Sequence, residues 1–348
     1  MKRIALFFFL SLAYIVSITA IGLLLCSCHS NNSSFTFKEG DAHITAYDSI
    51  DCPPCIVNPE KFISYKDNFW ILDSSNPSEV IHVINHKGEK IASGLSEGNG
   101  PNEVLEVSSI REINGLVYIC DSPKGILSLI SFEDSIFSLD VVAAGIRLMD
   151  DAAILKNKNL LLLPIGSINS YYIQDVKSKT PIDSLSYFPT APKGVNQDSH
   201  ALACTGLFEI IGDNNYAARI LAYDGGIDFF HIGEKSITNI KRLANFEMEY
   251  SVNDQGMPVP NEKSKIGYTA ITSSKNMFFA TFSDDKVFEN TTGMTNQIHV
   301  FSQTGEPLRR YILDRNVIDI QISPIGNCLY AIGCDNNDTY KIYSYHLN

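Results

Sequence analysis

Leu116-Val-Tyr-Ile-Cys120, Asp121-Ser-Pro-Lys-Gly125 and Ile126-Leu-Ser-Leu-Ile130 follow one another without interruption. Two β-favouring runs of five residues flank a turn built from Asp, Ser, Pro and Gly, the pattern of an antiparallel hairpin. The same order occurs upstream as Phe69-Trp-Ile-Leu72, Asp73-Ser-Ser-Asn-Pro77 and Val80-Ile-His-Val-Ile84. It returns near the end as Asn327-Cys-Leu-Tyr-Ala-Ile332, Asp335-Asn-Asn-Asp338 and Tyr340-Lys-Ile-Tyr-Ser-Tyr345, with Gln297–Phe301 and Ser302–Gly305 as a further half unit. Copies begin near residues 62, 105, 154, 207, 266 and 317. That spacing of about 50 residues is the size of a four-stranded propeller blade. The expectation is an all-β fold, a six-bladed β-propeller in one domain over residues 35–348.

The rest of the chain is read against that rhythm. Phe35–Tyr47 holds one strand pattern ahead of the first blade, predicted to close the last blade and hide two strand edges. A β-sandwich or two stacked β-domains is the competing architecture, but hairpins continue evenly to the last residue. The linker-like stretch Ser251–Lys265, with Gly256, Pro258 and Pro260, reads as a long surface loop. No long helical pattern follows residue 34.

The N-terminus reads as an export signal. Lys2 and Arg3 precede an apolar run from Ile4 to Leu25, longer than an ordinary signal core and long enough to span a bilayer. Leu25-Cys26-Ser27-Cys28 then resembles the bacterial lipobox, with Cys28 as the lipidated cysteine. His29–Ser34 is a polar tether. The expected division is a lipoprotein signal peptide over 1–27, a tether over 28–34 and the propeller beyond. Cleavage before Cys28 removes Lys2 and Arg3 and no acid, taking the net charge from −12 to −14. One acyl chain anchors only marginally; the diacylglycerol that a lipobox implies meets the need for a second. A chain this acidic, with no local Lys/Arg cluster, repels phosphate backbones, which argues against nucleic acid as a partner.

Six cysteines follow Cys28. Cys52-Pro-Pro-Cys55 is the sharpest motif. A redox dithiol normally uses a helix N-terminus to stabilise its thiolate, and none is predicted here. A local disulfide suits an oxidising periplasm better, and free thiols remain open. Cys120, Cys328 and Cys334 read as core positions, and no spacing matches a zinc site.

Gly98-Asn-Gly-Pro-Asn-Glu103, after the first hairpin and before Ile110, resembles a motif of the TolB-like six-bladed propeller lipoproteins common in Bacteroidetes. The C-terminal stretch is similar too, through Ile298–Phe301, Gly305–Leu308, Tyr311–Asp314, Leu329–Ile332 and Tyr340–Leu347. The resemblance covers most of the chain, least over 145–260. It implies a fold and a cell-envelope address, and no reaction.

Other candidate chemistry is sparse. Gly98, Gly100, Pro101, Asn102 and Glu103 lack the lysine and helix of a phosphate loop and read as a tight inter-blade turn. A ligand role for Asn102, Glu103 or Arg111 stays open, because such loops ring a propeller's mouth. Asp73, Asp121 and Asp335 follow strands at equivalent points of the repeat. They read as turn caps, with convergence on a channel calcium as the alternative. The histidines, of which only His82 and His86 stand four apart, give no metal-ligand pattern, and no Gly-x-Ser-x-Gly elbow is present. Tyr340, Tyr343 and Tyr345 read as core or rim packing.

The functional expectation is a lipid-anchored envelope module that binds or scaffolds a protein, peptide or glycan, with no cofactor and no catalytic set. The alternative is a calcium-dependent propeller hydrolase or lyase. The absence of acidic residues directly after Cys28 favours an outer-membrane lipoprotein facing the periplasm.

Overall fold

The computed structural model describes residues 35–347, apart from 134–135, 147–148, 168, 212–214 and 324–325. The signal peptide, Cys28 and the tether lie outside the described residues. No helix among those described is long and apolar enough to cross a membrane.

The chain folds as six antiparallel sheets, each a meander of successive strands. Blade 1 runs Pro59–Tyr65, Asn68–Asp73, Ile81–Asn85 and Lys90–Gly94. Blade 2 runs Val107–Ile113, Leu116–Asp121, Ile126–Glu133 and Ile136–Ala144. Blade 3 covers Met149–Ile154, Asn159–Pro164, Tyr171–Asp175 and Pro181–Leu185. Blade 4 covers Gly206–Ile211, Tyr216–Leu221, Gly226–Ile232 and Ile237–Ala244. Blade 5 is Lys265–Ser274, Met277–Lys286, Thr295–Ser302 and Pro307–Val317. Blade 6 adds Asp319–Ile322, Cys328–Cys334 and Tyr340–His346. The six-bladed ring read from the repeat is thus present.

Hairpins form where the turn chemistry permits. Asn114-Gly115, both at positive φ (54° and 78°), joins the first two strands of blade 2, the twist that a two-residue hairpin needs. The second strands of the blades are covered on both faces by neighbouring blades and are therefore largely apolar, as in Leu160–Leu163.

Ring closure is visible in the packing, since each of the six gaps between blades holds its own apolar cluster. Ile63, Trp70 and Phe137 fill the gap between blades 1 and 2, and Tyr118, Met149 and Leu160 the next. Tyr171, Phe208 and Phe230 lie between blades 3 and 4, and Phe229, Phe278 and Phe301 between 4 and 5. Ile298, Leu329 and Tyr345 lie between blades 5 and 6. Ile50, Phe62, Phe69 and Ile332 then join blade 6 to blade 1. Burying side chains of this size is worth about 1.5–3 kcal/mol each, so each gap is a cohesive joint.

The N-terminal segment corrects one expectation in detail. The strand inside Phe35–Tyr47, Asp41–Ile44, does not reach the last blade; it lies parallel against Pro307–Val317 of blade 5. The next strand, Asp48–Asp51, pairs with Tyr340–His346 and completes blade 6. Charge and packing explain the difference. Arg310 forms a bidentate pair with Asp41, and Phe35 and Phe37 pack edge-on against His299. We call upper the face at which the innermost strands begin. The pairing directions make residues 35–51 climb along the rim from the lower face to the upper.

Ser251–Lys265 also differs from a plain loop. Ser251–Val252 pairs with Pro258–Val259 as a small hairpin. It meets a short helix, Gln197–Ala203, capped by Asn196, whose side chain accepts the Ser199 N–H. The Ser199 hydroxyl donates to Gly256 O at 2.8 Å, and His200 Nδ1 lies 2.9 Å from the Tyr250 hydroxyl. With Cys204, Leu221 and Met248 they share a separate apolar cluster on the upper side of blades 3 to 5.

Candidate functional site

The innermost strands of the six blades are the walls of a central channel. They carry no ladder to one another, so side chains and stray backbone groups must hold the ring together at its axis. They do so in an unbroken circuit. Lys61 Nζ of blade 1 donates to Ser108 O of blade 2 at 2.5 Å, and Arg111 of blade 2 forms an ion pair with Asp151 of blade 3. Asp151 Oδ2 accepts the Phe208 N–H of blade 4 at 3.2 Å. Glu209 of blade 4 accepts from the Ser273 hydroxyl of blade 5 at 2.8 Å. The Thr272 hydroxyl reaches Gln321 Oε1 of blade 6 at 3.5 Å. Asp319 of blade 6 accepts the Phe62 N–H of blade 1 at 2.9 Å, which closes the circle.

This belt lines the middle of the channel. A cavity of about 500 Å³ runs from the belt to strand ends such as Ser64, Asn114, Ser273 and Ser323. Above it a funnel of about 590 Å³ opens at the upper face, with Glu106, Asp150, Thr205, Tyr223, Asn290 and Thr291 around it. Glu60 and Lys61 touch both compartments, and so do Thr292 and Gly293 of the blade 5 loop.

Removal from water controls the charges here. Burial lifts Asp150 and Glu209 to about 7 and Asp319 to about 6. Burial pulls the Lys61 ammonium down. It also opposes the Arg111 charge, but Asp151 and Glu209 outweigh it and hold that guanidinium above its ordinary value.

Of the residues singled out in the sequence, Arg111 alone faces the channel, at the centre of the belt and buried on Phe208 with 4.7 Å to the ring centroid. Gly98, Gly100, Pro101, Asn102 and Glu103 lie apart from it, in the connection between blades 1 and 2. Glu103 accepts the Gly100 N–H, so a side chain at Gly98 would run into its carboxylate. Asn102, at φ 61°, accepts the Leu139 N–H from the outer strand of blade 2.

Cys52 and Cys55 are thiols in the structure, beside a turn in which Ile56 N–H donates to Pro53 O. Burial pushes Cys52 up to about 12, the opposite of what a redox-active thiol requires. Asp73, Asp121 and Asp335 each hold local backbone. Asp73 takes N–H groups from Val57 and Ser75, Asp121 from Leu105, and Asp335 from Asn337 and Thr339. Among the described residues no three His, Cys, Asp or Glu side chains converge as metal ligands, and the belt acids Asp151, Glu209 and Asp319 are already engaged by protein donors. Tyr343 and Tyr345 are core residues.

Sequence reasoning missed Lys61, Asp150, Asp151, Glu209 and Asp319. The signal that could have found them is charge on the first strand of a blade, such as Asp150-Asp151 entering an apolar strand.

One buried group outside the channel sets a pH dependence. His299 is enclosed by Phe35, Phe37, Phe282 and Tyr268, and burial pulls it down to about 3. Between that value and about 6.5, the unfolded value, only the unfolded chain takes the proton. Its contribution to stability is therefore present above about pH 6.5 and lost as pH falls toward 3, by about 1.4 kcal/mol per unit. In urea unfolding at pH 6.5, 5.5 and 4.5, His299→Phe should gain on the parent as pH drops; a constant difference would refute this.

The fold and channel define a class: a closed six-bladed β-propeller with a charged axial cavity. Residues 59–324 match the family model described as TolB-like 6-blade propeller-like, and the chain belongs to that family. Among solved structures it is similar to a Bacteroides fragilis protein whose name calls it exported. Identity there is 12% over 88% of this chain and 100% of that one, with a TM-score of 0.54. It is also similar to the β-propeller domain of Cps50 (Swd1) from Myceliophteria thermophila, at 8% identity, 84% and 83% coverage and a TM-score of 0.49. Likeness at such identities is one of fold. No curated protein matches the sequence.

Proposed function

We propose that this chain is a lipid-anchored binding module of the bacterial cell envelope. In this reading it is exported and cleaved ahead of Cys28, acylated there, and holds its propeller at an outer membrane on the periplasmic side. The observation that carries the binding role is the funnel of about 590 Å³ at the upper face, continuous with the channel. Preformed concave sites of this volume are where propellers and other rigid scaffolds take ligands. The lipobox-like residues 25–28, the polar stretch after them and the exported relative in Bacteroides fragilis support the address. The partner is a protein, peptide or glycan that reaches the funnel.

The test is crosslinking followed by recovery from membranes, with Thr291→Trp set against the parent. Thr291 is exposed at the funnel, so the indole should obstruct the opening without entering a core. The parent is expected to retain a partner that the variant loses. Identical recovery from both would remove the funnel from the account. Metabolic labelling with a radioactive fatty acid should mark the parent and not Cys28→Ser, and an unlabelled parent would remove the lipid anchor.

A further inference from the structure

We propose that the funnel takes its partner by a positively charged nitrogen, a primary ammonium or a guanidinium carried by the ligand. This rests on the binding-module reading and names the chemistry of that same site. Three acids, Glu60, Glu106 and Asp150, stand at the funnel with one base, Lys61. The lysine and one of the acids are already committed, because the Lys61 ammonium donates to Ser108 O and the Glu60 carboxylate accepts from the Ser74 hydroxyl. Asp150 is not: one oxygen accepts the Gly206 N–H at 3.0 Å, and its other oxygen has no protein donor among the described residues. A cleft with walls of one charge sign and low polarisability concentrates counter-ions at its mouth. The site therefore attracts cations and repels phosphates and carboxylates.

Further observations narrow the cation. No three acidic or histidine side chains converge among the described residues, so a divalent ion would lack its oxygen shell. A quaternary ammonium is held by several aromatic faces, and the aromatic residues lining the funnel are two, Tyr223 and Tyr268, the second with its hydroxyl 2.9 Å from His299 Nδ1. What the site does offer is hydrogen-bond acceptors, from Asp150, Glu106 and the hydroxyls of Thr205 and Thr269. They suit a cation that donates hydrogen bonds. Burial already holds the Asp150 proton to about 7, so a bound ammonium would take that proton's place.

Ligand-observed NMR on the propeller without residues 1–34 tests this with three five-carbon compounds: 1,5-diaminopentane, 1,5-pentanediol and glutarate. The diamine should bind, and the diol and the dianion should bind at least about tenfold more weakly. Asp150→Asn keeps an acceptor for the Gly206 N–H and should weaken the diamine about tenfold, with circular dichroism confirming that the variant is folded. Glu106→Gln, which alters no recorded hydrogen bond, should weaken it in the same direction. Equal binding of diamine and diol, no binding of any of them, or an unchanged affinity in both variants would overturn the proposal. If membrane recovery still depends on Thr291 in that case, the binding role stands and only the charge preference falls. If the diamine binds as expected while recovery is unaffected by Thr291→Trp, the binding role falls instead.

Discussion

A chain lacking residues 35–52 is expected to lose its cooperative thermal transition and to elute as aggregate rather than monomer. The deletion uncovers two strand edges at once, Pro307–Val317 of blade 5 and Tyr340–His346 of blade 6. Open edges of that length are templates for pairing with other chains. It also takes Ile50 and Cys52 out of the cluster joining blade 6 to blade 1. Losing Ile50 and Cys52 together with the half-buried Phe35, Phe37 and Ile44, at up to about 1.5–3 kcal/mol each, consumes much of the 5–15 kcal/mol or so by which a typical domain is stable. A synthetic peptide of residues 35–52 added during refolding should restore the monomer. A truncated protein that stays monomeric and melts within a few degrees of the parent would show that the ring does not depend on this closure.

Arg111→Met should destabilise the propeller by about 3–5 kcal/mol, the usual cost of leaving a buried charge without its partner. Asp151 is fully buried. Without Arg111 it would keep only the N–H groups of Ala152 and Phe208. The paired variant Arg111→Met with Asp151→Asn should recover most of the loss, because the stranded charge goes with it. Urea midpoints of the parent, both single variants and the double variant form the cycle. A loss below about 1 kcal/mol for Arg111→Met, within the range of a surface pair, would mean that the ion pair is solvated and the belt does not bind the blades.

The blades were legible because a strand buried on both faces shows as a bare apolar run, and turns between such runs need Gly, Pro, Asn and Asp. Phe69–Leu72 and Leu116–Cys120 announce themselves for that reason. The channel was not legible, because its partners lie far apart along the chain. Asp319 meets the Phe62 N–H across 257 positions, and Arg111 meets Asp151 across 40. The one local mark of either carboxylate is its place at the start of a first blade strand, where an acid is easily read as a turn residue. Arg111 stood out in the sequence for its nearness to Gly98–Glu103, whereas its position on an innermost strand is what places it at the axis. The helix Gln197–Ala203 escaped notice because seven residues span barely two turns, too few for a periodic pattern.

The direction in which residues 35–51 climb also bears on mechanics. Force applied through the N-terminal end would act lengthwise on Asp41–Ile44 against its neighbour in blade 5, and then on Asp48–Asp51 against blade 6. Hydrogen bonds loaded in that sense share the strain and fail together, whereas a strand peeled from its end gives them up singly. Rupture under load is governed by the unfolding barrier rather than by equilibrium stability, so a leash fastened this way resists tugging better than its short strands suggest.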